Sequence, residues 1–227
     1  MPKKVYLSPS NQPENVYAYG NTNERDQCRR IAAACEAALK RCGFEVVNGS
    51  YGTMYERVAE SNSWCADLHV PIHTNAYNGN VSGTRIFCFN TTGEGYKAAM
   101  CVFESLAPIT PGKSENVSPN RDLYEVEYAA APTVYIEAEF HDVAACAKWI
   151  VENVAAIGEA IAKGICKYYS VAYVPPLTEK FVVTLGEYDT EFEADARLDK
   201  LKSLIETAQS ALVTLNAELQ EAKTIKH

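Results

Sequence analysis

The sequence predicts an α/β fold: a three-layer sandwich with a mostly parallel mixed sheet, followed by a C-terminal helical, coiled-coil appendage. Three observations carry this prediction. Short β-branched runs alternate with amphipathic helical stretches over about 170 residues, the pattern of strands joined by crossover helices. The runs at 66–73 and 133–140 are apolar nearly throughout, as strands covered on both faces are. Beyond Val-Pro-Pro at 174–176 the alternation gives way to a heptad pattern. The expected organisation is therefore a domain over 1–173, a stiff linker over 174–179, and a strand plus heptad helix over 180–227.

Residues 4–8 form the first strand, and the polar Ser-Pro-Ser-Asn-Gln loop that begins at Ser8 runs to about Asn23. That loop is longer than most strand-to-helix connections, which hints at function. Asn21, Thr22 or Asn23 can cap the helix that follows. Its stripe is Ile31, Ala34, Cys35, Ala38, Leu39 and Cys42, and Gly43 ends it. A second strand falls at 44–47 and a weak helix at 53–65. The third strand, 66–73, is the most apolar and is expected at the centre. A fourth strand is expected at 84–89, a helix at 94–106, a short strand at 123–128 and a further strand at 133–140. From Val143 to Tyr169 the pattern is one long helix, with Ala147, Ile150, Val154, Ile157, Ile161 and Ile165 on its buried stripe. In the tail, 180–188 is strand-like. Leu198, Leu201, Ile205, Ala208, Leu212, Leu215, Leu219 and Ala222 then form a heptad seam, and Leu204 and Ala211 widen it. Such a seam packs either on its own domain or, through 198–222, on another copy.

Composition excludes several classes. The 227 residues are 47% hydrophobic, enough for a substantial core, and carry a net charge of −8. That balance argues against a nucleic-acid partner, which needs clustered Lys and Arg. No apolar run approaches the roughly 18 residues of a membrane span. The N-terminus enters a strand pattern without the apolar stretch of a signal peptide. The eight cysteines include no Cys-x-x-Cys pair, and Cys35, Cys88, Cys101 and Cys146 fall on apolar positions. They are read as small buried hydrophobes in a reduced chain.

The stretch Thr-Val-Tyr-Ile-Glu-Ala-Glu-Phe-His-Asp, 133–142, is the focus for chemistry. A buried strand ending at Glu137 and Glu139 puts carboxylates at the carboxyl edge of a sheet, where open α/β folds bind ligands. A buried carboxylate is costly unless it is paired, hydrogen-bonded or bound to a metal. Glu24 at a helix start and His73 at a strand end aim at the same edge, so Glu24, His73 and Glu137 are expected to converge. Taken singly each has a plainer reading: a dipole-favoured acid for Glu24, a hydrogen-bonded core residue for His73, and a structural ion pair for Glu137.

Four blocks resemble the zinc-dependent N-acetylmuramoyl-L-alanine amidases of the amidase 3 type, in that family's order. They are Val-Tyr-Leu-Ser-Pro-Ser-Asn-Gln at 5–12, Asn-Glu-Arg-Asp-Gln-Cys at 23–28, and Ala-Asp-Leu-His-Val-Pro-Ile-His-Thr-Asn-Ala at 66–76 followed by Gly-Thr. The fourth is Ala-Pro-Thr-Val-Tyr-Ile-Glu-Ala-Glu-Phe-His-Asp at 131–142, with Trp-Ile shortly after. The Ser-Pro-Ser and Phe-His-Asp forms look like a subgroup seen in clostridia and their relatives. The resemblance implies a peptidoglycan hydrolase that cleaves between N-acetylmuramic acid and L-alanine. Glu24 and His73 would be ligands of a Zn2+ cofactor and Glu137 the catalytic base. An open zinc position would activate water. The substrate partner would be a peptidoglycan muropeptide.

The chain departs from the family where its first zinc ligand, a His in a Gly-His-Gly loop, is expected. Asn11 falls there, with Gln12 beside it, and an amide oxygen binds zinc weakly compared with imidazole. Gln12 or Asn11 ligates through oxygen, zinc binding is weakened, or another group substitutes. His69 lies four residues before His73, roughly 13 Å away at about 3.3 Å per residue, and suits a supporting or core place. His141 is better placed as a substitute. Glu139 stands where the family usually has Gly and would support the metal or raise the pKa of Glu137. The alternative reading is a metal-free, amidase-like wall-binding or scaffold module. The tail from Phe181 to Leu201 resembles the first half of a SPOR peptidoglycan-binding repeat. Without a signal peptide, the implied site of action, the bacterial cell wall, is reached by phage-type lysin release, at cell lysis, or from a chain trimmed of its leader.

Overall fold

The computed structural model describes residues 2–114, 117–176, 195 and 197–210. It divides into two units, Met1–Val174 and Pro175–His227. The first unit holds β1 (Lys4–Pro9), α1 (Glu24–Arg41), β2 (Glu45–Asn48), α2 (Met54–Ser63), β3 (Leu68–Asn75), β4 (Arg85–Cys88), α3 (Glu94–Leu106), β5 (Ser118–Pro119), α4 (Tyr124–Tyr128), β6 (Tyr135–Phe140), α5 (Ala144–Glu152) and α6 (Val154–Tyr168). The strands form one sheet in the order β2-β1-β3-β6-β4-β5, with β4 antiparallel to β6 and the other pairs parallel. This is the mixed, mostly parallel sheet that the sequence predicts.

Alternation along the strands divides the sheet into two chemically different faces. Val5 and Leu7 of β1, Val70 and Ile72 of β3, and Ile136 and Ala138 of β6 belong to the main apolar core, together with Ile31, Cys35 and Leu39 of α1 and Ile157, Ile161 and Ile165 of α6. The intervening residues Tyr6, Ser8, His69, His73 and Glu137 point the other way, and α2 supplies Glu60 and Ser61 to that side. Packing thus takes one face for stability and leaves the other for polar groups.

The helix that positions Glu24 is fixed at both ends. Asn23 caps α1, its side chain accepting from the Asp26 N–H at 3.0 Å, and Gly43 turns the chain away at φ +86°. At the crossing of α1 and α6, a Cβ on Gly158 would lie 2.6 Å from the Ala34 Cβ and 2.7 Å from the Cys35 backbone nitrogen. Gly158→Ala is therefore expected to destabilise by about 1–3 kcal/mol through overpacking, despite the better helix propensity of Ala. Urea unfolding monitored by circular dichroism checks this.

Three expectations need correcting. Residues 124–128 form a short helix, α4, rather than a strand, and this buries Glu125 and Val126. The helix expected over 143–169 is two, interrupted at Asn153. That residue has φ −121° and ψ 19°, and its side chain donates to the Trp149 carbonyl at 2.8 Å. Its own side-chain bond to the preceding turn competes with helix continuation. The third strand extends two residues further, to Asn75. All eight cysteines are free; Cys35, Cys88 and Cys146 are buried and Cys101 partly so.

In the second unit, residues 197–210 are helical, with Leu198, Leu204 and Ile205 exposed and a Lys202–Asp199 ion pair at 3.1 Å. The strand-like run 180–188 and the seam beyond Ser210 lie outside the described residues.

Candidate functional site

The β3–β6 register pairs His73 directly with Glu137, and β4 places Arg85 opposite Glu137 on the other side. The ladder shifts register immediately after His73. Glu24 enters from the first turn of α1, beyond the end of β1. Its Oε1 is 2.9 Å from His73 Nδ1. Glu24 and His73 are buried, and the Glu137 Oε2 atom is enclosed without a hydrogen-bond partner. The three residues expected to converge are thus neighbours.

Gln12 joins this cluster indirectly. Asn15 Nδ2 donates to Glu24 Oε2 and to Gln12 Oε1, each at 2.6 Å. Asn11 is turned elsewhere: it donates to the Gly52 carbonyl at 3.2 Å and accepts from Arg29 at 3.4 Å. His141 lies behind the strand end, stacked on Tyr17 at 5.0 Å, with Nδ1 3.0 Å from Thr74 Oγ1. Glu139 accepts from the Gly83 N–H at 2.6 Å and the Phe140 N–H at 2.9 Å. It tethers the loop before β4. His69 is fully buried, stacked on Tyr6 at 5.4 Å, with Nδ1 3.0 Å from Ser61 Oγ.

Glu125 is a central residue that sequence reasoning missed. It accepts from Ser8 Oγ and lies 3.3 Å from His69 Nε2. Its Oε2 is 3.9 Å from His73 Nε2, an atom that is itself buried without a hydrogen-bond partner. The segment around Glu125 reads as a strand by alternation, and only the helical turn of α4 brings its carboxylate under the site. Tyr135, stacked on His73 at 4.7 Å, was also unforeseen.

These contacts set the charges. Burial opposes an imidazolium at His73, but the nearby Glu125 carboxylate, the hydrogen bond to Glu24 and the field of Glu137 push its pKa up to about 9. Burial would raise Glu24 and Glu125. The bond and charge of His73 and the Asn15 amide hold Glu24 below the usual carboxylate range. His69, His73 and Ser8 hold Glu125 well below it. Glu137 moves the other way, up to about 7: burial is the largest cause, Glu24 adds to it, and His73 and Arg85 oppose it. The expectation that Glu139 raises it gives way to burial and Glu24. The surroundings of Glu24, Glu125 and His73 thus favour their charged forms, and those of Glu137 favour its neutral form.

That donor set suits a divalent cation. Glu24 Oε1 and His73 Nδ1 lie close enough to share one ion in place of a proton. Gln12 Oε1 is linked to Glu24 through the Asn15 amide. Among the described residues no group of three or more His, Cys, Asp or Glu is arranged to hold a metal. Glu24 and His73 thus offer two strong donors, and Gln12 an amide oxygen reached from Glu24 only through Asn15. A groove of about 500 Å³ opens onto His73 and Glu125, lined also by Gln12, Tyr55, Tyr124 and Tyr135.

The family profile described as N-acetylmuramoyl-L-alanine amidase matches residues 10–167. No curated protein matches the chain. Among solved structures, the catalytic domain of the amidase CwlV from Paenibacillus polymyxa var. colistinus superposes with a TM-score of 0.68 at 19% identity, covering 75% of this chain and 99% of that one. An N-acetylmuramoyl-L-alanine amidase from Clostridium difficile 630 gives 0.67 at 20% identity, over 74% of this chain and 97% of that one. The catalytic domain of the CD27L endolysin, which targets C. difficile, gives 0.60 at 20% identity, over 74% and 97%.

Proposed function

We propose that this chain, which belongs to the N-acetylmuramoyl-L-alanine amidase family, hydrolyses the amide bond between N-acetylmuramic acid and L-alanine in peptidoglycan, with zinc as cofactor. The observation that carries this reading is the His73–Glu137 strand pair with Glu24 against His73 Nδ1. Glu24 and His73 would hold the ion, with Gln12 completing the set. When bound, zinc supplies Lewis acidity toward the scissile carbonyl.

The chain's own residues account for the rest. Glu137, with a pKa raised to about 7, can accept a proton from attacking water and return it to the leaving amine. Its partnerless Oε2 is the atom available for that transfer. Glu125 lies beyond His73 Nε2 and can accept a hydrogen bond from the N–H fixed there once Nδ1 serves as a ligand. Tyr135 holds the imidazole plane by stacking. Glu125→Gln is expected to weaken zinc binding by about 10–100-fold, as measured by competition with a chelating dye; unchanged affinity would remove Glu125 from this role.

The absence of a third strong donor among the described residues favours a second reading, a metal-free wall-binding module. Elemental analysis of protein purified without chelators, with turbidity of a wall suspension followed in parallel, tests the two. About one zinc per chain with lysis supports the hydrolase. No zinc and no lysis after zinc is added back, with retained muropeptide binding, supports the module. The site of action proposed is the bacterial cell wall. Self-association through 198–222 is part of the same proposal, supported by exposed Leu198, Leu204 and Ile205. Sedimentation of Leu198→Asp/Ile205→Asp against the unaltered chain tests it.

A further inference from the structure

The groove at the site contains a guanidinium, Arg57, that forms no ion pair with the described residues. Arg57 of α2 lines it, although its side chain is almost fully enclosed at 3% exposure. One terminal nitrogen donates to the Pro9 carbonyl, while Nε is buried with no partner. No ion pair joins Arg57 to a carboxylate of the described residues. A buried guanidinium is costly unless an anion or several acceptors compensate it. The Pro9 bond uses one of its five donors. Nearby acids do not answer the need: Glu125 is engaged by Ser8 and His69, and Asp122 is exposed at the rim. The groove beside Arg57 carries Tyr55 and Tyr124, in edge-to-face contact at 4.5 Å, with Thr53 and Met54 alongside. A guanidinium beside aromatic and apolar walls, with donors left over after the Pro9 bond, is suited to recognise a carboxylate through its N–H groups.

We infer that Arg57 binds a carboxylate of the substrate's peptide stem and so determines specificity. The inference rests on the amidase reading for its ligand, because the groove that holds Arg57 also opens onto His73. A purely structural Arg57, bound to Pro9 to fix the end of β1, would leave the enzyme indifferent to that carboxylate.

The test uses two muropeptides that differ only in a free carboxylate or a carboxamide on the residue after L-alanine. The unaltered chain is expected to favour the free acid by about 10–100-fold, the size of a hydrogen bond to a charged group, mainly through KM. Arg57→Gln is expected to abolish the preference, and Arg57→Lys to keep part of it. Because Arg57 is buried, calorimetric binding of the two released stem peptides to the unaltered chain is measured in parallel and needs no variant. Tighter binding of the free acid by at least about tenfold supports the inference even where neither muropeptide is cleaved, an outcome that would sink the amidase reading alone. Cleavage of both at equal rates with equal peptide binding overturns the inference and leaves the amidase reading standing.

Discussion

Glu137→Gln is expected to abolish wall hydrolysis, by at least about 10³-fold on the scale of general-base catalysis, in a protein that stays folded and retains its metal. The carboxamide keeps the volume of the side chain between His73 and Arg85 but cannot accept the proton. The same variant has a second signature in metal-free protein. The Glu137 carboxyl holds its proton more tightly when folded, at about 7, than at its ordinary 4.5. Its contribution to stability is therefore fully present below about pH 4.5 and is lost as pH rises through about 7. Glu137→Gln removes that loss. The metal-free variant should exceed the unaltered protein in stability at pH 8 by up to about 3 kcal/mol, at about 1.4 kcal/mol per pKa unit, with the gain shrinking toward pH 5. Denaturant unfolding at both pH values reads it. Full activity in the variant would remove Glu137 from the mechanism.

Glu24→Ala and His73→Ala are each expected to reduce hydrolysis to background and to eliminate stoichiometric zinc. The two side chains meet at 2.9 Å in a buried setting. Removing Glu24 also deprives the Asn15 amide, which donates to both Glu24 and Gln12, of one of its two acceptors. Breaking a buried ion pair by deleting one partner costs about 3–5 kcal/mol, so both variants should unfold earlier in urea. Glu24→Gln separates the effects: it retains more of the packing and, as a neutral amide, still loses metal. Zinc content of each variant by elemental analysis is the readout. Stoichiometric zinc in Glu24→Gln would move the metal elsewhere.

Much of this site is legible in the sequence because its chemistry conflicts with its surroundings. Glu137 stands out as a carboxylate in an apolar strand, and His73 as a ligand-type residue at the end of another. The parallel β3–β6 pairing then sets them side by side. Glu24 is legible as the residue after a capping Asn. Glu125 is not: Leu-Tyr-Glu-Val-Glu-Tyr alternates like a strand, and in a segment this short the tertiary setting overrides the period. Arg57 is hidden in a weakly patterned helix, where an Arg reads as solvated. Its burial follows from the Pro9 carbonyl and the groove, which no local pattern encodes. The break at Asn153 is missed for a related reason. The apolar stripe continues past it, and the interruption comes from one side-chain bond to Trp149.

The most direct test of the central claim is the chemistry of the ends released from purified peptidoglycan, read by mass spectrometry after incubation with zinc-loaded and with chelator-stripped protein. The account predicts stem peptides with free N-terminal L-alanine and intact muramic acid lactyl groups, in the zinc-loaded reaction only. Digestion without new alanine N-termini, or equal release from protein shown to be zinc-free, would contradict it.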